Sequence, residues 1–194
     1  MKYTRLAACL FLIASSILAG DAPGARKAPE LAFHLPDGQK LLSQYRGKVV
    51  AIEFIQTTCP HCQAAAKVNS QLYNQYGSRG FQVIDLAINL MDHGPISDAD
   101  GTTQAEAFAG TYGANFPVGW VSRDSMLSFM GFSIMDRMVV PQLVLIDRKG
   151  IIRYQTPANS GPEWEKVMNE PALHAHIEEL LAEPKPVHMA SAKK

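Results

Sequence analysis

The sequence predicts an α/β fold, a central mixed sheet with helices on both faces, on three observations. Short apolar, β-branched runs alternate with stretches of helical periodicity. Two further strand-like runs, joined by Asp147-Arg148-Lys149-Gly150, form a hairpin and so bring antiparallel pairing into the sheet. A last helical stretch follows, giving the order β-α-β-α, hairpin, helix. With 194 residues, ordinary apolar content and no internal repeat, the chain holds one well-buried domain.

Taken in order, Lys2 and Arg5 precede an apolar run, Leu6 to Ala19, of about 14 residues, and small residues follow at Gly20 and Ala22. Residues 1–22 therefore read as an export signal. The run is shorter than the roughly 20 residues of a membrane span, so cleavage is the expectation and an uncleaved anchor the alternative. Residues 23–30 are small, polar and proline-containing and read as a linker. Leu31 to Leu35 alternates weakly, Pro36-Asp37-Gly38 turns the chain, and Leu41 to Tyr45 leads into Arg46-Gly47. Lys48 to Ile55 (KVVAIEFI) is a buried central strand carrying one acid, Glu53. Pro60 opens a helix to about Tyr76, with Ala65, Val68, Leu72 and Tyr76 at helical spacing and Gly77 and Gly80 at its end.

Phe81 to Ile88 is a second buried strand, and Gly94 to Asp100 a loop. Thr102 to Tyr112 is a short helix closed by Gly113, Phe116 to Val121 a brief strand, and Ser122 to Met130 a helix capped by Gly131. Gln142 to Ile146 and Ile151 to Gln155 are the hairpin strands. Pro162 to Leu181 is the closing helix, interrupted or kinked at Pro171. The domain thus spans 31–182, and residues 183–194, without periodicity, read as a flexible tail.

Eighteen Lys and Arg balance eighteen Asp and Glu, and no basic stretch clusters beyond Lys193-Lys194. Nucleic acid is excluded as a partner on that ground, because phosphate binding needs a concentrated basic surface. Of the three cysteines, Cys9 lies within the signal, which leaves Cys59 and Cys62. A bridge between residues so close closes too short a loop to stabilise the fold, and no second Cys/His cluster completes a zinc site. The pair is redox chemistry, with no metal and no cofactor required.

The C-x-x-C pair falls where a strand hands over to a helix, so Cys59 meets the free N–H groups and positive end of the helix dipole. Pro60 suits the first helical position, since its missing N–H has no partner there. Cys62 lies one turn on, within reach to resolve a mixed disulfide. His61, between the two, is expected to favour the Cys59 thiolate further, which makes the disulfide more oxidising. Glu53, six positions before Cys59, is costly in an apolar strand unless used; buried, it gains proton affinity and becomes suited to exchanging a proton with Cys62. Pro141, directly before a strand, is the remaining candidate, with Val140 as a backbone partner for a bound peptide.

These residues resemble the thioredoxin superfamily, and most of all its exported TlpA-like and redoxin branch, over about residues 28–182. The resemblance rests on PELAFHLPDGQKLLSQYRGKVVAIEF (29–54), Cys59-Pro60-His61-Cys62, Phe116-Pro117, and Val140-Pro141 before Leu143 to Gly150. It implies a three-layer α/β/α domain with a central mixed sheet. It further implies an attacking Cys59, a resolving Cys62 that forms the Cys59–Cys62 redox disulfide, Glu53 as the buried acid, and Pro141 as a cis-proline facing the disulfide. The partners expected are protein thiols and disulfides and a membrane redox protein, with the chain a monomer exported to a bacterial periplasm.

Two positions depart from the family pattern. Thr58 stands where thioredoxin has Trp, and Ala65 where many TlpA-like reductases carry an acid. The Pro-His dipeptide resembles that of the Dsb-system oxidant, whose large helical insertion this chain lacks. Disulfide exchange on exported proteins is the leading reading, and a TlpA-like reductase, serving for example cytochrome c maturation, the alternative. A peroxidase wants threonine three residues before its cysteine, where Gln56 stands. A copper-binding module would use Met126, Met130, Met135 and Met138 with Cys59, Cys62 and His61 as soft ligands.

Overall fold

A computed structural model describes residues 25–185. The export signal expected over 1–22, with Cys9, lies outside these residues, as does the tail beyond 185. Among the described residues eight strands form one sheet in the order β1-β8-β7-β4-β5-β6-β2-β3. Its centre is β4 (Val49–Ile55), β5 (Phe81–Ala87) and β6 (Val118–Trp120), all parallel. In the hairpin of β7 (Gln142–Ile146) and β8 (Ile151–Gln155), β7 pairs antiparallel with β4 and β8 antiparallel with β7. A second hairpin, β2 (Ala32–Leu35) and β3 (Gly38–Leu41), closes the far edge.

Period-two alternation divides the core. Val49, Ala51 and Ile55 of β4, with Phe81, Val83 and Ala87 of β5, pack under α1 (Pro60–Tyr76), α2 (Asp98–Tyr112) and α5 (Glu170–Ala182). The intervening Val50, Ile52 and Phe54, with Ile84 and Leu86, meet Met126, Phe129 and Met130 of α3 (Arg123–Met130) on the other face. Both faces being covered, β4 and β5 are buried throughout, which is why they read as unbroken apolar runs. Glu53 and Asp85, each fifth in its strand, occupy the face under α1.

Most elements fall within two residues of expectation; the differences have local causes. α2 begins at Asp98, because Ser97 caps it by accepting from Asp100 N–H (3.1 Å). Pro162 to Leu181 divides into α4 (Pro162–Met168) and α5, with Asn169 capping the latter through Ala172 N–H and Pro171 in its first turn. The linker expected over 23–30 is corrected from Arg26 onward. Arg26 and Lys27 form β1 against β8, the Arg26 guanidinium donates to Phe129 O (2.8 Å) and Gln155 Oε1 (2.7 Å), and Ala28 is buried. The tail is likewise corrected at its start, since Glu183 is held by Arg148 through its carbonyl (2.7 Å) and by Arg153 through its carboxylate. No helix among the described residues is long and apolar enough to cross a membrane.

Candidate active site

The β4–α1 junction builds the site. Asn89 receives Thr57 N–H at 3.1 Å and donates to the Thr57 hydroxyl at 3.0 Å, while Gln63 donates to Thr57 O at 3.0 Å. Cys59 N–H closes a turn onto Gln56 O (3.0 Å). The segment before the cysteines is therefore pinned from both sides, and Cys59 becomes the N-cap of α1 with Pro60 at its first position. No side chain among the described residues caps that end, so the first-turn N–H groups face the sulfur side of the junction. Cys59 is half-buried; Cys62, one turn on, is fully buried, and both are free thiols. Burial pushes the Cys62 thiol well above its ordinary range, and the neighbouring Cys59 sulfur and Glu53 charge push the same way. One sulfur is thus open to solvent while its neighbour is kept protonated inside.

Val140-Pro141 stands opposite, with a cis peptide bond between them. The Cys59 thiol lies 3.8 Å from Val140 O, while Val140 N–H has no backbone acceptor among the described residues. A groove of about 340 Å³ opens beside them, lined by His61, Val139, Val140, Pro141, Ser160, Trp164 and Glu165. His61 is exposed on its rim. Trp164, which the sequence left unplaced, belongs to this wall, whereas Trp120 is buried between His34, stacked at 5.3 Å, and Gly101. Tryptophan emission is accordingly expected to change between the reduced and oxidised protein; Trp164→Phe should abolish the change and Trp120→Phe preserve it.

Glu53 is 1% exposed, and its carboxylate accepts from Asn69 Nδ2 of α1 at 2.5 Å. Cys62 packs in the same layer as Ala51 and Ile55, which flank Glu53 on that face. Burial lifts the Glu53 carboxyl from 4.5 to about 7, against the lowering effect of the Asn69 bond. Asp85, its register partner on β5, also accepts from Asn69 (3.2 Å), and its other oxygen has no partner among the described residues. Burial, and then the Glu53 charge, hold Asp85 well above 3.8.

Sequence reasoning missed Asp85 and Asn69. For Asp85 the signal existed: FQVIDLA carries its acid at the same offset as VVAIEFI. It also missed Gln142 and Thr156, both buried and bonded to each other beside the groove, which have no signal in the sequence. The copper reading is corrected. Met126 and Met130 are buried on the α3 face, Cys62 lies on the opposite face, and Met135 is 84% exposed, so these ligands do not converge.

A model of the AhpC/TSA family matches residues 25–155. The thiol-disulfide oxidoreductase ResA of Geobacillus thermodenitrificans is 27% identical over 127 residues, 65% of this chain and 64% of that protein. ResA of Geobacillus kaustophilus is 28% identical over 112 residues, 58% of this chain and 56% of the relative. The chain thus spans less than two thirds of the length of these curated relatives. A solved thiol:disulfide interchange protein of the thioredoxin family from Chlorobium tepidum superposes with a TM-score of 0.61 at 20% identity, covering 84% of this chain and 99% of that one. That likeness shows the fold, a thioredoxin-like three-layer α/β/α domain.

Proposed function

The chain belongs to the AhpC/TSA family, and we propose that within it this protein is a thiol-disulfide oxidoreductase that exchanges disulfides with exported proteins through Cys59 and Cys62. One observation carries the reading. A half-exposed cysteine at a helix N-terminus lies 3.8 Å from Val140 O, on a segment whose Val140 N–H has no backbone acceptor among the described residues, with a second, buried thiol one turn behind the first. The thiol-disulfide oxidoreductase activity of the ResA relatives supports it. The charged and then apolar start of the sequence supports export, with a membrane redox protein as the renewing partner.

Written as a reduction, the Cys59 thiolate attacks one sulfur of the substrate disulfide, and the displaced substrate thiolate leaves and takes a proton from water. Cys62 gives its proton to Glu53, and its thiolate attacks the Cys59 sulfur. The Cys59–Cys62 bond forms, the bond to substrate breaks, and its electron pair leaves on the substrate sulfur that Cys59 had attacked, which takes up a proton. Oxidation of a substrate dithiol is the same path reversed. A peptide lying in the groove would pair its backbone with Val140, and His61 on the rim would favour the Cys59 thiolate. Gln56, in place of threonine three residues before Cys59, speaks against a peroxidase.

Equilibration with glutathione buffers tests the proposal. A single two-electron couple between Cys59 and Cys62 is expected, and its midpoint fixes the preferred direction; an oxidising value supports disulfide introduction, a reducing one the TlpA-like reductase. Cys59 is expected to be alkylated faster than a free cysteine at mildly acidic pH. A redox-inert pair, or alkylation no faster than that of free cysteine, overturns the assignment.

A further inference from the structure

The groove beside Cys59 has two walls from separate parts of the chain, and one buried side chain together with one backbone bond ties them. Gln142, the first residue of β7, is fully buried although it is polar. Its amide donates to Val139 O at 2.8 Å and to Ala158 O at 3.1 Å, and its carbonyl accepts the Thr156 hydroxyl at 2.6 Å. Ala158 O also takes Val139 N–H (3.0 Å), and the Thr156 oxygen accepts Leu143 N–H (3.0 Å). Both amide hydrogens and the carbonyl of Gln142 are thereby used, an arrangement that leaves the side chain a single rotamer. Val139 leads into the Val140-Pro141 wall, and Ala158 leads to Ser160 and Trp164 on the other.

We propose that Gln142, with Thr156, is a positioning residue for the polypeptide substrate: by bonding both Val139 O and Ala158 O it reinforces their direct backbone bond and fixes the spacing between the Val140 edge, which receives the substrate backbone, and the Ser160–Trp164 wall. This rests on the disulfide-exchange reading and deepens it, since the tie concerns substrates that fill the groove and not the sulfur chemistry. Gln142 touches neither cysteine, and a disulfide too small to reach Trp164 does not sense the spacing.

The test follows single turnovers of the pre-reduced full chain, whose Cys59 and Cys62 thiols supply the two electrons, on a short peptide holding one internal disulfide and on dithiodipyridine, with KM and kcat read as the half-saturating concentration and limiting rate. Gln142→Leu leaves Val139 O without a donor, and Thr156→Val removes the hydroxyl that orients the amide. For both variants, KM for the peptide is expected to rise about tenfold with kcat nearly unchanged, while reduction of dithiodipyridine and alkylation of Cys59 stay at wild-type rates. Thr156→Ser, which keeps the hydroxyl, should restore the peptide KM. If Gln142→Leu fails to fold, the contrast between Thr156→Val and Thr156→Ser decides. An unchanged peptide KM, or equal losses on both substrates, overturns the proposal and leaves the exchange reading standing. A wild-type protein inert toward both substrates overturns the two together.

Discussion

Replacing Cys62 with serine is expected to leave the protein covalently joined to its substrate, and replacing Cys59 with serine to prevent the union altogether. The asymmetry follows from burial. Cys59 is half-exposed, whereas Cys62 has no exposed surface, so an incoming disulfide meets the first sulfur alone. Once the mixed disulfide forms, the attack that ends it comes from one helical turn away, at an effective concentration no external thiol matches. Serine at 62 fits the same space but supplies no competent nucleophile, so the adduct persists and turnover stops after one event. Non-reducing electrophoresis and mass spectrometry of Cys62→Ser incubated with a disulfide-bearing peptide should show one peptide bound through residue 59. Sustained turnover by Cys62→Ser, or the same adduct on Cys59→Ser, would reverse the roles assigned to the two sulfurs.

Legibility in the sequence followed where the physics is local. The strand–Cys–Pro–His–Cys–helix junction is set by neighbours along the chain: proline fits the first helical position and an uncapped N-terminus awaits an anion. The hairpin of Gln142 to Ile146 and Ile151 to Gln155 is likewise read from its turn, and its bounds agree with the structure. Arg26 and Lys27 were illegible because nothing local makes them a strand; they join the sheet through a guanidinium reaching Phe129 and Gln155, over a hundred residues on. The Gly38–Leu41 strand was hidden similarly, its pattern mostly exposed and its pairing supplied by β2.

At the site, the candidates from the motif were visible, while the side chains that brace them were not. Gln142 and Thr156 sit fourteen residues apart and have meaning only once β7 and β8 are paired. Asn69 looks like any polar residue of an amphipathic helix until the alternation of β4 and β5 turns two acids toward it. Asp85 differs, because the same alternation that marks Glu53 marks it too. Reading the two strands against each other, in place of each alone, would have put both carboxyl groups under one helix.

That pair makes the pH response of the protein distinctive, and Glu53→Gln should expose it. The folded protein holds the Glu53 proton up to about pH 7, whereas the unfolded chain releases it near 4.5. Below 4.5 both states carry the proton, and the contribution of Glu53 to stability is fully present. As pH rises from there the unfolded state ionises first, so stability falls until the folded carboxyl also ionises near 7. The separation between 4.5 and about 7 corresponds to about 3 kcal/mol. Asp85, also raised, acts with the same sign. Denaturant unfolding should therefore find the wild type weaker at pH 8 than at pH 5, and Glu53→Gln stronger than wild type at pH 8 by about 3 kcal/mol, with little difference at pH 4.5. The same substitution should slow the chemistry. Cys62 must shed a proton into a base before it can resolve the mixed disulfide, and Glu53 accepts one only when ionised, so the wild-type resolution rate should climb through about pH 7. Glutamine cannot take the proton. Resolution should then fall by about 10²–10⁴-fold and lose its inflection near neutrality, while the first attack by Cys59 proceeds. A variant that gains stability at pH 8 yet keeps that inflection would make Glu53 a buried cost of the fold and send the Cys62 proton elsewhere.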